Sequence, residues 1–88
     1  AERSPIVELN RAVAVAMRDG FLAGLQQIDD ILARGDLAEY HLAHAARADF
    51  SRRLGRIDEA RASYQQALAL VKQEPERRFL QKRLGELG

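Results

Sequence analysis

Eighty-eight residues make one domain, and a chain of that size buries only about 60–65% of the surface its unfolded form exposes, enough for one thin core but not for a core plus an enclosed reaction chamber. Fourteen basic side chains against thirteen acidic ones leave a net charge of +1, too weak a field to gather nucleic acid or an anionic membrane. With no cysteine there is no disulfide framework, zinc ribbon or thiol nucleophile.

The chain opens at Ala1 without an initiator methionine and turns helical almost at once, which reads as a fragment of a longer protein whose missing part lies N-terminal. Ser4 is placed as an N-cap, Pro5 suits the first helical position, and Glu8 adds negative charge to the first turn. Ile6, Leu9, Val13, Ala16 and Met17 then recur at helical steps, widened by Val7, Ala12, Ala14 and Val15, so this helix is expected to be covered on two sides. Its longest apolar run, Ala12 to Met17, is too short for a bilayer and follows no signal-peptide pattern, which fits a cytoplasmic domain. Asp19-Gly20 ends the helix, with Gly20 expected in a left-handed C′ conformation.

A second helix is predicted from Phe21 to Arg34, with Leu22, Leu25, Ile28 and Leu32 as its apolar stripe and Ile31 beside it. Asp30 and Arg34 stand as an i,i+4 pair on its wet side. Gly24 inside this helix costs about 1 kcal/mol relative to alanine, a cost that a close helix crossing would explain. After Gly35-Asp36 a third helix is predicted from Leu37 or Ala38 to Leu54, with Leu42, Ala46, Phe50 and Leu54 on one face and Ala43, Ala45 and Ala48 at close-packing positions. Gly55 stops it. A fourth helix runs from Ile57 to Lys72, then Gln73-Glu74-Pro75 breaks the chain, and a fifth, Pro75 to Leu87, carries Phe79, Leu80, Leu84 and Leu87 on one side. No segment alternates as a strand would.

Gly20 and Gly55 are 35 residues apart, each between two helices, a period close to the roughly 34 residues of the tetratricopeptide repeat. Gly55, Ala60, Tyr64 and Ala67 match the second half of that signature. Its first half is degenerate: His44, Arg47 and Ser51 stand where tryptophan, leucine and tyrosine are usual, and only Ala48 keeps the small position. In the first copy Leu25 replaces the small alanine and Asp29 the aromatic. The expected fold is therefore all-α: a tetratricopeptide-like array of two antiparallel helix pairs (repeat one about 5–36, repeat two about 38–72) plus a C-terminal capping helix, about 75–87.

The polar residues give several candidates. His41 and His44 share a helix face, but no third ligand or metalloprotease pattern accompanies them, so packing and hydrogen bonding are expected of them and no metal. Arg47 and Asp49 lie among alanines and need partners, which Asn10 and Arg11 are placed to supply in a polar network between helices one and three. A recognition groove formed by Asn10, Arg11, His41, His44, Arg47 and Asp49 is the functional alternative. Arg52, Arg53 and Arg56 cluster at a helix C-terminus, where the helix dipole favours positive charge. The serines lack a placed histidine and no glycine-rich phosphate loop occurs, so the sequence points away from an enzyme and calls for no cofactor.

Taken together, SPIVELNRAVAVAMRDG, YHLAHAARADFSRRLGRIDEARASYQQALAL and EPERRFLQKRL resemble the C-terminal extension of a group of bacterial extracytoplasmic-function RNA polymerase sigma factors, in which a helical, tetratricopeptide-like domain follows the sigma regions. Phe21 departs from that pattern, in which proline tends to follow Asp-Gly. The resemblance implies a regulatory, protein-interaction domain acting in transcription initiation. Its partners would be the sigma regions of the same chain, RNA polymerase or a signalling partner, and it would have no promoter-specific DNA binding of its own. A tetratricopeptide-like peptide-binding adaptor unrelated to transcription is the alternative, and a metal- or metabolite-sensing module at His41 and His44 a third reading. An uncovered repeat end also leaves room for a homodimer.

Overall fold

Ser4, Gly20, Gly55 and Pro75 mark helix ends locally, and the computed structural model describes residues 4–87. Among these there are five helices and no strand: α1 (Pro5–Asp19), α2 (Phe21–Ala33), α3 (His41–Arg53), α4 (Ile57–Leu70) and α5 (Glu74–Glu86). Ser4 caps α1, its hydroxyl accepting from the Val7 N–H at 3.5 Å, with Pro5 in the first turn. Pro75 is likewise confined to the first turn of α5, where its missing N–H costs nothing. No helix among the described residues is long and apolar enough to cross a membrane.

The turns carry the geometry. Gly20 is a one-residue connection, the C-cap of α1 and the N-cap of α2, at φ 107° and ψ 158°. That is not the expected left-handed helical conformation but a region that essentially only glycine occupies, and it folds α2 straight back onto α1. Gly55, at φ 78°, does take the left-handed C′ role. Arg56 N–H reaches the Ser51 carbonyl at 2.8 Å and Gly55 N–H the Arg52 carbonyl at 3.0 Å, the paired bonds of a Schellman motif. Between α2 and α3 the chain makes a longer turn than expected. Leu37 sits at φ 61°, incompatible with the right-handed helix predicted to begin there, so α3 starts at His41. Packing of the Leu37 side chain against the first core stabilises this strained backbone.

The helices pack in sequence: α1 on α2, α3 on α4, α2 against α3 to join the two pairs, and α5 on α4 as a cap. This is the expected all-α array of two helix pairs and a closing helix. Two cores result. Leu9, Ala12, Ala16, Leu25, Ile28, Ala43 and Phe50 form the first, with Phe21 packed beside Phe50 at 5.6 Å between ring centroids. Ala48, Ala60, Tyr64, Ala67, Val71 and Leu80 form the second, with Leu84 and Leu87 against it. Helix α3 feeds both, so it is flanked on two sides. Ala60 and Ala67 are 0% exposed, as the small-residue signature requires.

Helix α1 is not covered on two sides. Leu9, Ala12, Val15 and Ala16 are buried, whereas Ile6, Val7, Val13 and Met17 are exposed. The reason is position in the stack: α1 is the outermost helix and only α2, with the edge of α3, packs on it. Similar shifts affect Leu22, Leu42 and Phe79, each assigned to a buried stripe and each exposed. In α2 the buried set is Gly24, Leu25, Ile28 and Ile31, one step round from the expected stripe. The crossing expected at Gly24 is present: a Cβ built there would lie 2.5 Å from the Ala16 Cβ and 2.9 Å from the Ala12 carbonyl oxygen.

Candidate functional site

The six polar candidates do not converge on one groove. Arg47 points between the helix pairs. Its Nε donates to Asp29 Oδ1 of α2 at 2.7 Å, its Nη1 donates to Ser63 Oγ of α4 at 2.7 Å, and Glu59 lies 3.7 Å from Nη2. It therefore joins α2, α3 and α4, and the expected network between α1 and α3 does not include it. Asp29, which replaces the aromatic of the first repeat, is the residue that gives Arg47 its partner. Because Ser63 is buried, replacing the guanidinium leaves a hydroxyl in the interior with nothing to bond. Arg47→Met is expected to destabilise the chain by about 1–3 kcal/mol in urea unfolding, and adding Ser63→Ala should restore part of that loss. A double variant no more stable than the single one would contradict the orphaned-hydroxyl explanation.

His44 is occupied locally: its Nε2–H donates to the Ala38 carbonyl at 2.9 Å and ties down the turn before α3. His41 has a separate partner, with Nε2 2.5 Å from Glu76 Oε2, which pins the start of α3 to the start of α5. Among the described residues no group of three His, Cys, Asp or Glu side chains is arranged to hold a metal ion. Arg11 lines a shallow polar depression of about 270 Å³ with Glu8, Gln27, Asp30, Ile31 and Arg34. Within it Arg34 reaches Glu8 at 2.5 Å and Asp36 at 3.6 Å, not Asp30 as the i,i+4 spacing suggests. The Glu8 carboxylate raises the Arg34 guanidinium above its ordinary pKa, with burial opposing.

Three of the six, Asn10, Asp49 and His41, lie along one trough, the first two in its main part. These two line a groove of about 440 Å³ between α1, α3 and α5, together with Val13, Leu42, Ala45, Ala46, Phe79, Arg53 and Arg83. A second hollow of about 310 Å³ continues it toward His41 and Pro75, and the two share Leu42, Ala45, Phe79 and Leu80. Val13 is 37% exposed, Leu42 45% and Phe79 56%, so the trough presents apolar side chains from three helices. Asp49 is already engaged, accepting from Arg52 Nη2 at 2.6 Å and Arg53 Nε at 3.0 Å. Asp49, and after it the Tyr64 hydroxyl, hold the Arg52 guanidinium more firmly protonated than usual.

The comparisons with known proteins add one relative. No family model matches the chain, and no solved structure matches it. It is similar to an uncharacterized protein of Rhizobium meliloti (strain 1021), with 37% identity over 85 residues. That alignment covers 97% of this chain and 20% of the relative, so the chain spans about a fifth of the length of the protein it matches.

Three of the six polar candidates, Asn10, Asp49 and His41, line this surface, but apolar side chains make most of it. The groove is built by Val13, Leu42 and Phe79, which sequence reasoning assigned to the interior. A signal was present for two of them. Leu42 adjoins the buried Ala43 and Phe79 the buried Leu80, so each stands one residue off its helix's buried stripe, about 100° round the helix.

Proposed function

We propose that this chain is a protein-interaction domain, the C-terminal helical extension of a bacterial extracytoplasmic-function sigma factor, that acts in the cytoplasm to regulate transcription initiation through protein contacts. The sequence resemblance supplies the sigma-factor context. The observation that carries the interaction reading is the open trough across α1, α3 and α5, where exposed Val13, Leu42 and Phe79 form a contiguous apolar surface. The match to one fifth of a longer protein fits a module embedded in a larger chain. The polar side chains around the helices are engaged with one another, Arg47 with Asp29 and Ser63, His41 with Glu76, and Asp49 with two arginines, which supports a binding role over a catalytic one.

In the full-length parent, deleting this domain, or combining Leu42→Asp with Phe79→Asp, should change promoter-dependent transcription severalfold. Unchanged transcription in every condition tested would remove the regulatory reading. A parent sequence without sigma regions would transfer the groove to a peptide-binding adaptor outside transcription.

A further inference from the structure

The partner's chemistry is written on the walls of the trough. The starts of α3 and α5 meet at the His41–Glu76 contact, and the last turns of the same two helices carry Arg53 and Arg83, so the helices run in the same direction along the groove. The floor between them is Ala45 and Ala46, with Val13, Leu42 and Phe79 as the raised sides. All three walls are helices that satisfy their own backbone. An extended peptide laid here would press its N–H and C=O groups against apolar surface with nothing to bond. A helix brings its own hydrogen bonds and offers side chains at i, i+3, i+4 and i+7 to such a surface.

The charge is asymmetric along the groove. At one end the guanidinium of Arg53 lies over the Phe21 ring at 4.9 Å and that of Arg83 over the Phe79 ring at 5.3 Å, which fixes both. Arg53 uses Nε on Asp49, and Arg83 uses Nη1 on Glu86 at 3.3 Å. Among the charged residues lining this end, two guanidiniums (Arg53 and Arg83) face one carboxylate (Asp49), which Arg52 also shares from outside the lining. Each arginine has five N–H donors, so the end of the trough can still donate to incoming carboxylates. At the opposite end the Glu76 carboxylate sits against the His41 ring.

We infer that this trough takes an amphipathic α-helix of a partner protein, its apolar side on Val13, Leu42 and Phe79 and its acidic end against Arg53 and Arg83. The inference rests on the interaction-domain reading and adds the partner's secondary structure and charge to it.

The test uses the 88-residue chain and synthetic labelled peptides about four turns long, read by fluorescence anisotropy. One is an amphipathic helix with leucines at helical spacing and glutamates at one end. The others replace the glutamates by lysines, or break the helix with proline while keeping the composition. The acidic helix should bind with a dissociation constant on the order of 10 µM, and the lysine and proline versions at least about fivefold more weakly. Arg53→Glu with Arg83→Glu should invert the charge preference. Leu42→Asp with Phe79→Asp should abolish binding while leaving the helical circular dichroism intact. Equal binding of acidic and basic helices, equal binding of the proline peptide, or no binding at all would overturn the inference. So would sedimentation as a dimer that Leu42→Asp dissociates, which would make a second copy the occupant. If the peptides fail while the same groove variants still alter transcription in the full-length parent, the partner chemistry is wrong and the interaction reading survives. If both fail, the reading falls with it.

Discussion

Tyr64→Ala is expected to cost about 3–5 kcal/mol, the range for deleting a large aromatic from a packed core. The ring is 2% exposed, is among the largest fully buried side chains, and belongs to a core whose other members include three alanines. Ala48, Ala60 and Ala67 have no side-chain length with which to fill the space that its loss would open. A domain of this length is stable by roughly 4–13 kcal/mol in total, so the variant forfeits about a quarter of its margin or more. Tyr64→Phe separates the ring from the hydroxyl. It removes only the hydroxyl, which the Arg52 guanidinium feels electrostatically, and should cost about 0.5–1.5 kcal/mol. Urea unfolding followed by circular dichroism distinguishes the two, and a Tyr64→Ala variant within about 1 kcal/mol of the parent would refute the packing account. Since the ring also lines the docking trough, the alanine variant should bind the acidic helix less well even where it remains folded.

Gly24→Ala runs against propensity. Alanine is the better helix former by about 1 kcal/mol, and on that ground alone the substitution would stabilise. Here the added Cβ meets the Ala16 Cβ at 2.5 Å and the Ala12 carbonyl oxygen at 2.9 Å, and neither is the far end of a flexible side chain. Relief requires α1 and α2 to move apart along their whole contact. Overpacking of this kind costs about 1–3 kcal/mol, so the net expectation is a loss of up to about 2 kcal/mol, and a larger one for Gly24→Leu. Ala16→Gly in the Gly24→Ala background removes the shortest contact, so the two substitutions should couple favourably in a double-mutant cycle. A raised melting temperature for Gly24→Ala would show that the helices do not approach so closely.

Gly24 and Leu25 also show how far the repeat could be read from the sequence. Aligned by period, Leu25 matches Ala60 and breaks the pattern of small residues, which made the first copy look degenerate. In the fold the small residue of the first pair is Gly24, one position earlier, and Leu25 fills the core beside it. The relation between the two copies survives as a packing mode after the residue register has slipped. The second copy kept both, and there Ala60, Tyr64 and Ala67 were legible at once.

The candidate site was less legible because its residues were sorted by polarity. Arg47 was expected in a polar network with helix one, with a recognition groove as the alternative, and it instead links α2, α3 and α4. Leu42 and Phe79 looked like core and face the trough. In a helix, whether a side chain is buried depends on what lies opposite, and a change of about 100° per residue moves an apolar group from one neighbour to another.

What the sequence by itself determined was the set of helices and those of their ends that carry a local signal. N-caps, proline in a first turn, and glycine at Gly20 and Gly55 act through a few adjacent residues, and their energetics need no distant partner. Tertiary structure decided the rest: which face of α1 stays bare, that Leu37 gives up a helical backbone to bury its side chain, and that three helices leave an apolar trough with arginines at one end. Those outcomes depend on neighbours far along the chain, and burial is a property of the assembled stack and not of any segment within it.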